Sequence, residues 1–246
     1  MQRVATAIGY SETAFLAPLK GRAYQVRYFS PVAEVQFCGH ATIACGVALA
    51  QRDGDGVFEL HTKGGVVSVS TSLVDGRASA TLTSLPARVA PVTPALVAEA
   101  LEALRWQPAE LDGTLPPAVA FAGEWHLILC VGRRERLARL DYDFQALRSL
   151  MSERRLTTLQ LVWRHSANLF HVRDPFPVGG IVEDPATGAA AAAFGAYLRD
   201  WHGWKAPAQA TLLQGQDMGR PSRLDVELVP NEAGIRVTGR AIPIDS

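Results

Sequence analysis

Cysteine is scarce in this chain of 246 residues, and the little there is excludes two kinds of architecture. Cys38, Cys45 and Cys130 are odd in number and lack the spacing of metal ligands, which argues against a disulfide framework and against a zinc site. The six histidines are scattered, with no H-E-x-x-H pair among them. An excess of either charge is missing too: 24 Lys and Arg face 24 Asp and Glu, with no basic block and no Lys/Arg patch interleaved with aromatics. Nucleic acid and membrane surfaces are therefore poor partners, and a small molecule is the expected one. No apolar run is long enough to span a bilayer and residues 1–10 carry no secretory h-region, so a soluble, cytoplasmic protein is expected. A G-x-G-x-x-G loop is also lacking and neither half alternates strand with helix, which argues against a Rossmann or nucleoside-triphosphate fold.

What the chain does have is two helix starts of similar build. One runs Gly179-Gly180-Ile181-Val182-Glu183-Asp184-Pro185-Ala186-Thr187-Gly188 into the alanine-rich residues 189–197. The other is Phe37-Cys38-Gly39-His40-Ala41-Thr42, followed by small and apolar residues up to Ala50 and the polar stop Arg52-Asp53-Gly54. A helix apolar all round belongs inside a core, so each reads as the central helix of its own domain. The first backbone N–H groups of a helix lack intrahelical acceptors, so Thr187, Gly188 and Ala189 can offer donors and positive dipole to an anion, with Asp184 at the lip. Two ordinary buried helices with glycine caps are the plainer alternative.

Taken in order, residues 1–9 suit a short amphipathic helix through Val4, Ala5 and Ile8. Residues 11–16, 24–29, 57–60, 66–70 and 79–82 read as strands, with Gly64-Gly65 and Asp75-Gly76 as hairpin signals. Glu12 and Glu34 each precede apolar strand residues, where a lone Glu is usually a solvated edge residue. The stretch 86–94 holds Pro86, Pro91 and Pro94 and is the best boundary, dividing the chain into 1–90 and 91–246 with the last strand free to return to the first domain. Residues 95–104 and 144–153 are helical, the second on the surface. Strands are expected at 125–131, 158–163, 168–172, 210–213, 223–229 and 234–243.

Four stretches, in order and spanning nearly the whole chain, resemble the phenazine-biosynthesis isomerase-like (PhzF-like) proteins, which share a fold with diaminopimelate epimerase. They are Ser11-Glu12-Thr13-Ala14-Phe15; Phe29-Ser30-Pro31 with Glu34 and Cys38-Gly39-His40-Ala41-Thr42; Glu183-Asp184-Pro185-Ala186-Thr187-Gly188; and Gln214-Gly215 with Gly219-Arg220-Pro221-Ser222. The resemblance implies an α+β fold of two similar domains, each a rolled, mostly antiparallel sheet around a central apolar helix, with the active site in the cleft and no cofactor or metal. It matches Glu12 to the family's acid/base carboxylate, His40 to its cleft histidine and Asp184 to its supporting acid. Moving a proton between two carbons needs one group that takes and returns it, and burial beside residues such as Phe15 would raise the Glu12 carboxylate toward the working pH. His40, at a helix N-terminus, would be neutral and orient substrate. The N–H groups around Gly39 and Gly188 would bind the carboxylate of a small metabolite. A cofactor-independent isomerase that shifts a proton and a double bond is the leading expectation. The alternatives are an amino-acid epimerase using Cys38 as a thiol of lowered pKa, or a non-catalytic module that binds small anions.

Two departures from the family pattern carry consequences. Ala189 stands where the family has Ser, so one hydroxyl is lost from the second helix start. The family's opening strand and Gly-Asn-Pro turn, some thirty residues before the Ser-Glu motif, are not in this chain. Their absence is expected to leave the 39–50 helix partly uncovered, to leave a strand edge open near residues 11–16, to leave Glu12 less enclosed, and so to favour a homodimer.

Overall fold

In the computed structural model, which describes residues 1–74 and 76–242, the chain forms two compact units. Met1–Thr83, joined by residues 237–242, makes the first; Ser84–Arg236 makes the second. Residues 84–90, expected in the first domain, pack with the second unit. Asp75 of the Asp75-Gly76 signal and Pro243 of the last expected strand lie outside the described residues.

The first unit opens with α1 (Gln2–Ile8), closed by Gly9 at φ 72°. Its expected apolar face is only partly used: Ala5 is buried, whereas Val4 and Ile8 are exposed. Then follow β1 (Thr13–Pro18), β2 (Ala23–Phe29), the two-residue β3 (Glu34–Val35), α2 (Gly39–Asp53), β4 (Gly56–Thr62), β5 (Gly65–Val74) and β6 (Arg77–Thr83). The sheet order is β1-β2-β4-β5-β6, antiparallel except for the parallel β2/β4 pair. Alternating small and β-branched residues on β5 and β6 put Val69, Ala78, Ala80 and Leu82 against α2. That helix buries Ile43, Val47 and Leu49, each side chain contributing about 1.5–3 kcal/mol relative to exposure. The approach is close enough that a Cβ on Gly46 would lie 2.6 Å from Val69 Cγ1 and 2.8 Å from Ala80 Cβ.

The expectation of an uncovered helix is thereby corrected. Gly39, Ala41–Ile43, Cys45–Val47, Leu49 and Ala50 are buried within the single chain, so the apolar argument for a dimer at this face falls away. The strand edge is where it was expected: β1 is the outermost strand, with Leu16 exposed.

In the second unit the proline-rich stretch is more than a linker. It contains β7 (Arg88–Pro91), an outermost strand, where the missing N–H of Pro91 is tolerated. Pro94 opens α3 (Pro94–Leu104), and Thr93 Oγ1 caps it by accepting from Leu96 N at 3.2 Å. After these come β8 (Ala118–Phe121), β9 (Trp125–Val131), α4 (Arg134–Ala138), α5 (Phe144–Arg154), β10 (Thr158–Arg164), β11 (Leu169–Pro175), the two-residue β12 (Glu183–Asp184), α6 (Gly188–Trp201), β13 (Ala208–Gln214) and β14 (Ser222–Leu228). The order is β14-β13-β11-β10-β9-β8-β7, with parallel pairs at β11/β13 and β9/β10. The last strand, β15 (Arg236–Gly239), follows, and its residues from Val237 belong to the first unit.

The sheet of the second unit curls round α6, which is buried from Ala190 to Leu198. A Cβ on Gly195 would meet Val226 and Ile235 at 2.7 Å. On the other face, α3 and α5 pack Leu101, Leu104, Leu147 and Met151 on Leu127, Leu129 and Leu161. The expected surface helix over residues 144–153 holds, with α5 burying Leu147, Leu150 and Met151 on one face and exposing the other, and this layer explains why β9 and β10 are buried on both faces.

Candidate active site

The first helix start gathers three of the residues singled out from the sequence. Glu12 stands one residue before β1, and Cys38 is the extended N-cap of α2, with Gly39 and His40 in its first turn. His40 Nε2 lies 3.1 Å from Glu12 Oε2 and 3.3 Å from Ser11 Oγ, and both ring nitrogens lie 3.6 Å from Cys38 Sγ. The Glu12 side chain is only 7 % exposed, against 24 % for His40. A hydrogen-bond chain fixes this helix start: the single proton of Thr42 Oγ1 goes to Cys38 O at 2.6 Å, so Tyr28 OH donates to Thr42 Oγ1, also at 2.6 Å. Phe15 and Phe29 pack edge to face beside it.

Burial pushes the Cys38 thiol up, and the neighbouring His40 only partly opposes this. The sequence pointed the other way, because a helix N-terminus lowers a thiol's pKa, but here burial is the largest influence on the thiol. The second central helix offers Pro185 and Ala186 rather than a thiol at the corresponding place. Glu34, part of the matched pattern, is a structural residue: Arg27 grips it through two hydrogen bonds and Lys63 adds a third, holding its carboxyl down to about 2.

At the other helix start, Asp184 sits in β12 opposite Asp174 of β11 and is buried. Thr187 Oγ1 donates to Asp184 Oδ2 at 2.7 Å. Gln214 closes the loop: its Oε1 accepts from Thr187 N at 2.9 Å, and its Nε2 donates to Asp184 O at 2.7 Å and to Thr187 Oγ1 at 3.0 Å. The Thr187 amide, expected to serve a substrate anion, is therefore already engaged. Gly188 and Ala189 remain as first-turn amides without intrahelical acceptors. Gln214 stands just before a tight turn at Gly215, where φ is +74° and a Cβ would lie 2.1 Å from Arg220 O. Ser222 Oγ completes the latch by donating to Pro185 O at 2.9 Å.

Behind Asp184 lies a buried polar chain that the sequence did not reveal. Thr158 Oγ1 donates to Asp174 Oδ1 at 3.1 Å and lies 2.9 Å from His126 Nδ1. Burial first, then the charge of Asp184, raises the Asp174 carboxyl well above the usual range, and burial depresses His126 to about 3. Next to this chain, Arg173 forms a buried two-point ion pair with Glu183 and donates to Ala138 O at 2.7 Å. Among these partners Glu183, Gln214 and Ser222 lie in stretches singled out from the sequence, whereas Thr158, His126, Asp174 and Arg173 do not. The strand reading stopped at Val172, two residues short of Asp174.

The α+β fold of rolled sheets, each around a central helix, is of the epimerase type. The chain belongs to the phenazine biosynthesis-like (PhzC-PhzF) family, whose model matches residues 1–246. An uncharacterized isomerase of Mesorhizobium japonicum is 34% identical over 264 residues, 99% of this chain and 86% of that protein. The trans-2,3-dihydro-3-hydroxyanthranilate isomerase of Pseudomonas aeruginosa is 30% identical over 226 residues, 91% of this chain and 77% of that protein. Among solved structures, a PhzF-family phenazine biosynthesis protein of Bacillus anthracis superposes with a TM-score of 0.86 at 22% identity, covering 98% of this chain and 85% of that one. The chain is thus an enzyme of the isomerase class, and the expected family and fold hold.

Proposed function

We propose that this isomerase shifts a proton, and with it a double bond, on a small carboxylate-bearing metabolite, with Glu12 as the acid/base. The observation that carries the reading is the Glu12 carboxylate, buried at the end of a strand and 3.1 Å from His40 Nε2. In the forward direction Glu12 takes a proton from one carbon, the electron pair of that C–H bond becomes the new double bond, and the old double bond takes a proton from Glu12 at its far carbon, the carboxyl proton exchanging with solvent between the two transfers. Atoms balance without a redox partner. His40 orients the substrate; in the second unit, Asp184 and the amides of Gly188 and Ala189 form a polar, anion-binding helix start of its own. Ala189 contributes no hydroxyl, so a substrate bound here loses one hydrogen bond relative to a Ser-bearing relative.

Proton NMR in D2O tests the mechanism, with trans-2,3-dihydro-3-hydroxyanthranilate and a panel of small carboxylates selected by thermal stabilisation of the protein. The parent enzyme should place solvent deuterium on a substrate carbon, and Glu12→Gln should slow this by roughly 10²–10⁴-fold. Exchange at the parent rate in Glu12→Gln would remove Glu12 as the acid/base. Binding without exchange by the parent would instead favour the anion-binding module.

A further inference from the structure

We propose that Glu12, Cys38 and His40 together form a binding site for a thiophilic divalent cation of the zinc type, and that occupation of this site arrests the proton shift. Cysteine spacing argued against zinc because only one ligand is a cysteine: the carboxylate comes from the start of a strand, the thiol and imidazole from a helix start. One ligand atom from each of the three lies within 4.8 Å of the others. Zinc bonds of about 2.3 Å to sulfur and 2.0–2.1 Å to nitrogen and oxygen give tetrahedral edges of about 3.6 Å for N···S and about 3.4 Å for N···O. The protein has 3.6 Å from Cys38 Sγ to His40 Nε2 and 3.1 Å from Glu12 Oε2 to the same nitrogen.

A second observation points to a ligand. Glu12 Oε2 is buried and makes no hydrogen bond, although it lies beside His40 Nε2. An anionic oxygen in that position gains from a cation that bonds it directly. Thiolate, imidazole and carboxylate together favour zinc or cobalt over magnesium or calcium. The partly exposed His40 leaves a path for entry and for a water as fourth ligand. Binding releases the Cys38 thiol proton to solvent. With Oε2 on the metal, Glu12 no longer exchanges a proton with carbon; this consequence alone rests on the proposed role of Glu12.

The test is titration of chelator-treated protein with Co²⁺, read by near-ultraviolet thiolate-to-cobalt charge transfer, followed by displacement with Zn²⁺. One ion should bind per chain. Cys38→Ser should abolish the charge-transfer band, whereas Cys45→Ser and Cys130→Ser should keep it. Glu12→Gln should weaken binding roughly tenfold or more while keeping the band. His40→Ala, checked for folding by circular dichroism, provides an independent ligand deletion should Cys38→Ser fail to fold, and it should weaken binding at least as much. Absence of the band in the parent, its survival in Cys38→Ser, or parent-like affinity in both Glu12→Gln and His40→Ala would overturn the site. Zinc bound through these ligands with deuterium exchange still at the parent rate would leave the site standing and refute the arrest together with the acid/base role of Glu12.

Discussion

His126 should make the second unit acid-labile. It is fully buried on β9, and the Thr158 hydroxyl, whose one proton goes to Asp174, can only accept from it. The ring therefore carries its proton on Nδ1, and Nε2 is left buried without a hydrogen bond. Protonating Nε2 would place a cation in the core, which is why burial depresses this histidine to about 3 from an ordinary 6.5. The unfolded chain binds that proton near pH 6.5 and the folded chain does not, so the contribution is complete above pH 6.5 and is lost as pH falls toward 3. Between pH 7 and pH 5 the loss amounts to about 2 kcal/mol, at about 1.4 kcal/mol per pH unit below 6.5. Asp174 acts with the opposite sign: its raised carboxyl makes folding less favourable as pH rises above the ordinary aspartate range. A profile of the parent alone mixes the two, whereas the difference between parent and His126→Gln does not, because Gln can still donate to Thr158 and does not titrate. All five tryptophans lie in the second unit, so urea unfolding followed by their fluorescence reports on the unit that holds His126. The stability advantage of the parent over His126→Gln should shrink by about 2 kcal/mol from pH 7 to pH 5. An advantage that stays constant with pH would refute the neutral, buried histidine.

Three further outcomes follow from the packing. Arg173→Met leaves Glu183 buried and unpaired and should cost about 3–5 kcal/mol in urea unfolding, most of it recovered when Glu183→Leu is added. Gly46→Ala sets a helix-propensity gain of about 1 kcal/mol against a Cβ 2.6 Å from Val69 Cγ1. Overpacking at about 1–3 kcal/mol should win, lowering the calorimetric midpoint of the first unit; an unchanged or higher midpoint would show that β5 and β6 yield easily. Gln214→Ala strips partners from Thr187 N and Asp184 O and should cost about 1–3 kcal/mol for each buried group left unmet. It should also lower kcat while KM changes less, and a variant with parent kcat would mean that Asp184 does not depend on this latch.

Local chemistry alone determined much of this protein. A glycine followed by about ten small, uncharged residues specifies a helix that must be buried, and that pattern located α2 and α6. The motif around Glu12, Cys38-Gly39-His40 and Glu183-Asp184 was legible because each piece lies within a few consecutive residues. The elements that escaped, β3, β7, β8, β12 and α4, are two to five residues long, and one of them hides in a proline-rich stretch. Tertiary structure decided the rest, because burial and partnership depend on which strands become neighbours. Asp174 faces Asp184, and Thr158 reaches both Asp174 and His126, only through the order of β9, β10, β11 and β12. Cys38 shows the division most directly: its place at a helix start is readable from the residues around it, whereas the upward shift of its thiol comes from the atoms that the folded chain packs over it.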